Sequence, residues 1–138
     1  MTLNIENIRI VRDHMQKLVD AGHGERIAMQ HWFAVLDYDL YESVAELPKN
    51  ARVIDTHSCG TSACIAGWAQ FLLAKGPQRR KPAVEFAEKA FGLTVSEREY
   101  LFYGNWPNIT AGNITPAEVI AELTRIIETG VVIPGDGA

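Results

Sequence analysis

Cysteine is scarce in this chain, with only Cys59 and Cys64 among 138 residues. Two thiols exclude a scaffold framed by several disulfides, and they fit a compartment where thiols stay reduced. Histidine is nearly as rare: the four lie at 14, 23, 31 and 57, all before Cys59. No long hydrophobic run occurs. The longest uncharged stretch of note, Ser58 to Ala74, is broken by Gly, Thr, Ser and Gln and is too polar for a membrane span. Charges throughout Met1 to Ala21 argue for an amphipathic helix there rather than a secretory leader. Positive charge is in deficit, 13 Lys and Arg against 17 Asp and Glu, with a pI near 5.5. A dedicated duplex-DNA binder needs a basic face, so that class is excluded. Internal repeats and low-complexity tracts are absent too.

What is present is the composition of a globular protein, 47% hydrophobic and 22% charged. One domain over residues 1–138 is expected, with 130–138 as a flexible tail. The fold class is mainly α: a compact single-domain helical fold of about five helices, with a short irregular or strand-like segment before a motif helix. Ile5, Ile8, Val11, Met15, Leu18 and Val19 recur at helical spacing, with Asn4 placed to cap and Gly22 to end the first helix. Residues 25–52 lack clean periodicity and read as a short helix or extended piece, before a strand-like "ARVID". The motif helix is predicted from about Ser62 to Lys75, stopped by Gly76-Pro77. Another is predicted from Pro82 to Phe91 with Gly92 past its end. A short one at 96–103 opens on Ser96-Glu97-Arg98-Glu99, and the last opens on Thr115-Pro116-Ala117-Glu118 and ends at Gly130; both openings fit a capping box.

The stretch "HSCGTSACIAGWAQF", residues 57–71, concentrates the unusual chemistry. Gly60 permits a tight turn, and Thr61 or Ser62 is the natural N-cap, with Cys64 in the first turn. Gly67 inside a helix costs ~1 kcal/mol relative to Ala, which predicts close contact with a neighbouring element. The cysteines admit several readings. His57, Cys59 and Cys64 form H-x-C-x4-C, which lacks a second ligand pair at a recognisable spacing for zinc. As a redox pair they have four intervening residues instead of the usual two. As nucleophiles they lack a downstream histidine. As small buried hydrophobes they need nothing further, and that reading is preferred. Neither a metal nor a cofactor is expected.

The pattern C-G-T-x-A-C-x-A-G-W-A resembles a loose group of small proteins common in phage and prophage genomes. Gly92-Leu93-Thr94, Leu101-Phe102…Trp106 and a final helix near T-P-x-E match further features of that group, so the resemblance covers roughly residues 57–130. It implies a small accessory protein of a mobile element, acting in the host cytoplasm, and it transfers no catalytic residues.

A helix start with free N–H groups, a flexible glycine and two hydroxyls is what anion binding uses. The candidate ligand-binding residues are therefore Cys59, Gly60, Thr61 and Ser62, with Tyr103 and Trp106 as aromatic faces for a base. The basic loop "KGPQRRKP", with Lys75, Arg79, Arg80 and Lys81, sits at the other end of a helix ~20 Å long and reads as a solvated turn. Three function classes follow. The first is a protein that binds and sequesters a small anionic or nucleotide-like ligand, such as a host immune signal. The second is an inhibitor that blocks a host defence protein by surface contact, with Tyr38 and Tyr41 as anchors. An enzyme comes third, since no paired carboxylates, metal set or ordered triad can be assembled. The motif being purely structural is a separate reading. No membrane partner and no duplex DNA are expected, and a homo-oligomer is compatible with each class.

Overall fold

In a computed structural model, the residues described are 2–27, 33–35, 39–41, 45, 61–103, 106 and 114–134. They form a mainly helical fold with five α-helices in the order the sequence implies. α1 spans Ile5–Asp20, α2 Ile65–Leu73, α3 Ala83–Phe91, α4 Val95–Phe102 and α5 Pro116–Thr129.

α2 is the central helix. Every residue from Ile65 to Phe71 is buried, Gly67 included, which is what a helix apolar on all sides must do. It packs chiefly on α3, while α1 lies across α5 and touches α2. Ile8, Val11, Met15 and Leu18 of α1 face Val119, Leu123 and Ile126 of α5 in one continuous core. The wholly buried indole of Trp68 donates its ring N–H to the Arg26 carbonyl at 2.9 Å. That bond ties α2 to the 3-10 turn Gly24–Arg26 and leaves the Trp68 polar atom satisfied.

Three short strands form a small antiparallel sheet in the order β2-β1-β3, where β1 is Phe33–Val35, β2 Asp39–Tyr41 and β3 Thr61–Ala63. β1 pairs with both neighbours, and opposite β3 the register sets Phe33 against Ala63 and Val35 against Thr61. The extended alternative for residues 25–52 is the one observed at its two strands, while "ARVID" lies outside the described residues.

The helix boundaries follow cap chemistry, with two corrections. Asn4 caps α1 through its side chain to the Asn7 N–H, and Thr115 with Glu118 closes a capping box on α5, as predicted. α4 begins one turn residue earlier than predicted. Its N-cap is Thr94 rather than Ser96, because Thr94 and Glu97 exchange the two capping bonds at 3.2 and 2.8 Å. α2 also starts later than Ser62. The C-terminal segment is not a loose tail up to Pro134: Val132 is buried in the core, and Arg125 donates to the carbonyls of Val131 and Val132.

The start of the chain is pinned to the end of α3. The Asn4 N–H donates to the Phe91 carbonyl at 2.7 Å, and Asn7 Nδ2 donates to the Ala90 carbonyl at 2.7 Å. Gly92, at φ +72°, closes α3 and lets residues 2 and 3 lie against its backbone.

Candidate functional site

Thr61 and Ser62 are not the cap of the motif helix. They lie in β3, opposite Val35 and Ala34 of β1, and the chain turns into α2 only at Cys64. The N-cap is Cys64 itself, in extended backbone, with its sulfur accepting the Gly67 N–H at 3.5 Å. A small thiol suits this position because the whole first turn is buried; a hydroxyl there would also need somewhere to send its proton. Burial pushes the Cys64 thiol up to about 12, against the smaller opposing pull of the Gly67 and Ala66 N–H groups. The thiol is therefore neutral at physiological pH, which removes it as a nucleophile or thiolate ligand. Since Ile65, Ala66 and Gly67 are all buried, the dipole end of α2 does not open to an anion in solvent. Cys59 and Gly60 lie outside the described residues. Among the described residues, no group of three or more His, Cys, Asp or Glu side chains is placed to hold a metal ion.

The two aromatic candidates separate. Tyr103 follows α4 and is exposed. Trp106 is buried and faces Tyr100, ring centroids 6.5 Å apart. The Tyr100 hydroxyl donates to Glu122 at 3.3 Å, and Glu122 also accepts from Arg125. Trp106 thus belongs to a cluster between α4 and α5. Its indole N–H is buried with no hydrogen-bond partner.

A groove opens elsewhere, where the sequence had suggested only a solvated turn. It has a volume of about 430 Å³ and is lined by Asn7, Leu73, Gln78, Lys81, Phe86, Lys89 and Ala90. Phe86, Lys89 and Ala90 fall on one face of α3 at helical spacing. Leu73 comes from the last turn of α2 and Asn7 from the first turns of α1. Gln78 and Lys81 come from the 3-10 turn Gly76–Arg80 and the residue after it.

Buried Gln70 fixes that turn in place. Its side-chain amide donates to the Gln78 carbonyl at 3.1 Å and to the Lys81 carbonyl at 2.7 Å. A fully buried amide costs free energy unless it is bonded, so this latch explains a Gln in an otherwise apolar helix. Gln78 Oε1 in turn accepts the Lys75 N–H at 2.9 Å. Asn7 is held by its bond to Ala90, which leaves its side-chain oxygen as the acceptor in the lining.

The electrostatic character of the groove is one-sided. Both ionisable residues that line it are lysines, although acidic residues outnumber basic ones in the chain. The nearby carboxylates are directed elsewhere or loosely engaged. Glu88 pairs with Arg98 of α4 at 3.2 Å, and Glu85 lies 3.9 Å from Lys81 with both side chains about half exposed. The lining holds no Ser, Cys, His, Asp or Glu; its polar groups are two lysines and two side-chain amides over an apolar floor. Of the groove, the sequence had singled out only Lys81; the spacing of Lys81, Phe86 and Lys89 was the available signal. Among the described residues, no helix is long and apolar enough to cross a membrane. Comparison with family models, curated proteins and solved structures found no match for this chain.

Proposed function

We propose that this chain is a non-catalytic binding protein for a small anionic ligand, held in the groove between α3 and the Gly76–Arg80 turn. The observation that carries this reading is the lining itself: two lysines and the amide side chains of Gln78 and Asn7 beside Leu73, Phe86 and Ala90, with no carboxylate among the lining residues. A concave site of this volume with a few convergent polar groups is of the size small molecules occupy. An acidic protein can hold an anion because the local field decides, not the net charge. With no Ser, Cys, His, Asp or Glu in the lining, the lysines act as cations that hold the anion, and capture is favoured over turnover. Sequestration by a small accessory protein of a mobile element agrees with the resemblance of residues 57–130, and a phosphate- or carboxylate-bearing metabolite is the ligand class.

Calorimetry against inorganic phosphate, mono-, di- and cyclic nucleotides and aliphatic carboxylates tests the proposal. At least one of these anions binds, and Lys81→Ala or Lys89→Ala weakens it by about tenfold or more, the size of one charge-assisted hydrogen bond. Binding that survives both substitutions unchanged places the ligand elsewhere.

A further inference from the structure

Both lysines line the groove. Pro82 and six residues of α3 separate Lys81 from Lys89, which places their backbones roughly 12–15 Å apart. Phe86, Ala90 and Leu73 supply the apolar part of the same lining, and Glu85 lies 3.9 Å from the Lys81 Nζ. The Lys81 backbone is held by Gln70 through its carbonyl, so its place in the lining is set by a buried contact. Lys89 is exposed and has no ion-pair partner among the described residues. Two lysines on backbones this far apart, with apolar side chains in the same lining, are the complement of an elongated molecule carrying an anionic group at each end.

Resting on the proposed function, we infer that the ligand is an elongated dianion, with two anionic groups separated by an apolar or aromatic spacer and one lysine engaging each end. Gln78 adds a hydrogen bond at the Lys81 end, and Phe86 takes the spacer. A single compact anion such as inorganic phosphate meets one lysine at a time and gains half of the recognition.

Two molecules of equal length separate this from simple apolar burial. Decanoate and sebacate share a ten-carbon chain, and sebacate exchanges a terminal methyl for a second carboxylate. Burial on the floor alone favours decanoate, whereas capture at both ends favours sebacate. Titration calorimetry with the full chain is expected to give sebacate at least about fivefold tighter than decanoate. Within the series from succinate to dodecanedioate, affinity is expected to rise once the carboxylates can reach both lysines. Lys81→Gln and Lys89→Gln, on exposed positions and with unchanged melting curves, each bring sebacate down to the level of decanoate.

Sebacate no tighter than decanoate overturns the two-ended reading. If decanoate or a nucleotide then binds in a manner that depends on Lys81 or Lys89, the anion-binding function stands without it. If none of these anions binds, both fall. A glutamate-rich peptide that binds more tightly than sebacate and is not displaced by it overturns the small-molecule occupant in favour of an acidic polypeptide.

Discussion

The Gly67 backbone N–H points at the sulfur of Cys64, 3.5 Å away, inside a helix start that is buried on every side. This contact places the later part of the most conspicuous stretch, Cys64 to Phe71, in the core, while Cys59 and Gly60 lie outside the described residues. It also explains why the chain reaches the central helix through a strand: β3 delivers Cys64 into the interior, where a serine-type cap would sit among apolar groups.

A thiol in this setting resists both chemistry and ionisation. With Cys59 replaced by Ser, the remaining Cys64 should react with a thiol reagent only after denaturant is added. The linkage has a definite sign. The unfolded chain releases this proton near 9.0 and the folded chain near about 12. Stability contributed by the neutral thiol is therefore complete below pH 9 and is lost as pH rises toward 12. Chemical denaturation of this variant and of a matched Cys64→Ala control, compared across that range, reads the difference.

His14 titrates with the opposite consequence. It is half-buried, its ring tilted against Trp68 with centroids 4.9 Å apart, and its Nε2 is buried without a hydrogen-bond partner among the described residues. Burial first, and Lys17 second, hold its pKa below 6.5. The unfolded chain then takes up the proton before the folded chain does, so stability is lost as pH falls through 6.5. His14→Gln should flatten that part of the stability profile measured by urea unfolding.

Gly92 and Gly130 have nearly the same backbone, φ +72° and +71°, but different surroundings. A Cβ at Gly130 meets nothing, while one at Gly92 would collide with the Thr2 carbonyl and lie 3.3 Å from the Leu3 Cα. Gly130→Ala should cost only the left-handed penalty of about 1–2 kcal/mol. Gly92→Ala should cost more, since the N-terminal segment must also leave its bonds to α3. Melting of the two variants side by side gives the comparison.

The α4 boundary can be checked by two serine-threonine sites. Thr94→Ala removes a capping bond and should cost about 1 kcal/mol, whereas Ser96→Ala, on an exposed helical position, should stay within about 0.5 kcal/mol. Equal losses would return the cap to Ser96.

These boundaries show what the sequence could convey. Periodicity of Ile8, Val11, Met15 and Leu18 located α1, and the pair Thr115 and Glu118 located α5, because local chemistry alone decides both. The competition between Thr94 and Ser96 was not decidable locally, since either hydroxyl lies near a glutamate at a plausible spacing. Cys64 as a cap was missed because its advantage over Ser62 comes from burial, which depends on β1 and α3 rather than on neighbours in the chain. The groove was missed for the same reason: Asn7 and Ala90 are 83 positions apart and meet only through the packing of α1 on α3. A Gln within an apolar helix was the overlooked clue, because Gln70 holds the Lys81 backbone in place.

The central claim is that an anion occupies the groove and not the start of the motif helix. Amide chemical shifts of the isotope-labelled chain, followed during titration with sebacate and with adenosine diphosphate, locate the ligand directly. The account predicts progressive shifts at Asn7, Leu73, Gln78, Phe86, Lys89 and Ala90, with the amides of Cys64 to Gly67 unmoved. Shifts concentrated at β3 and the first turn of α2, with the groove silent, would contradict it.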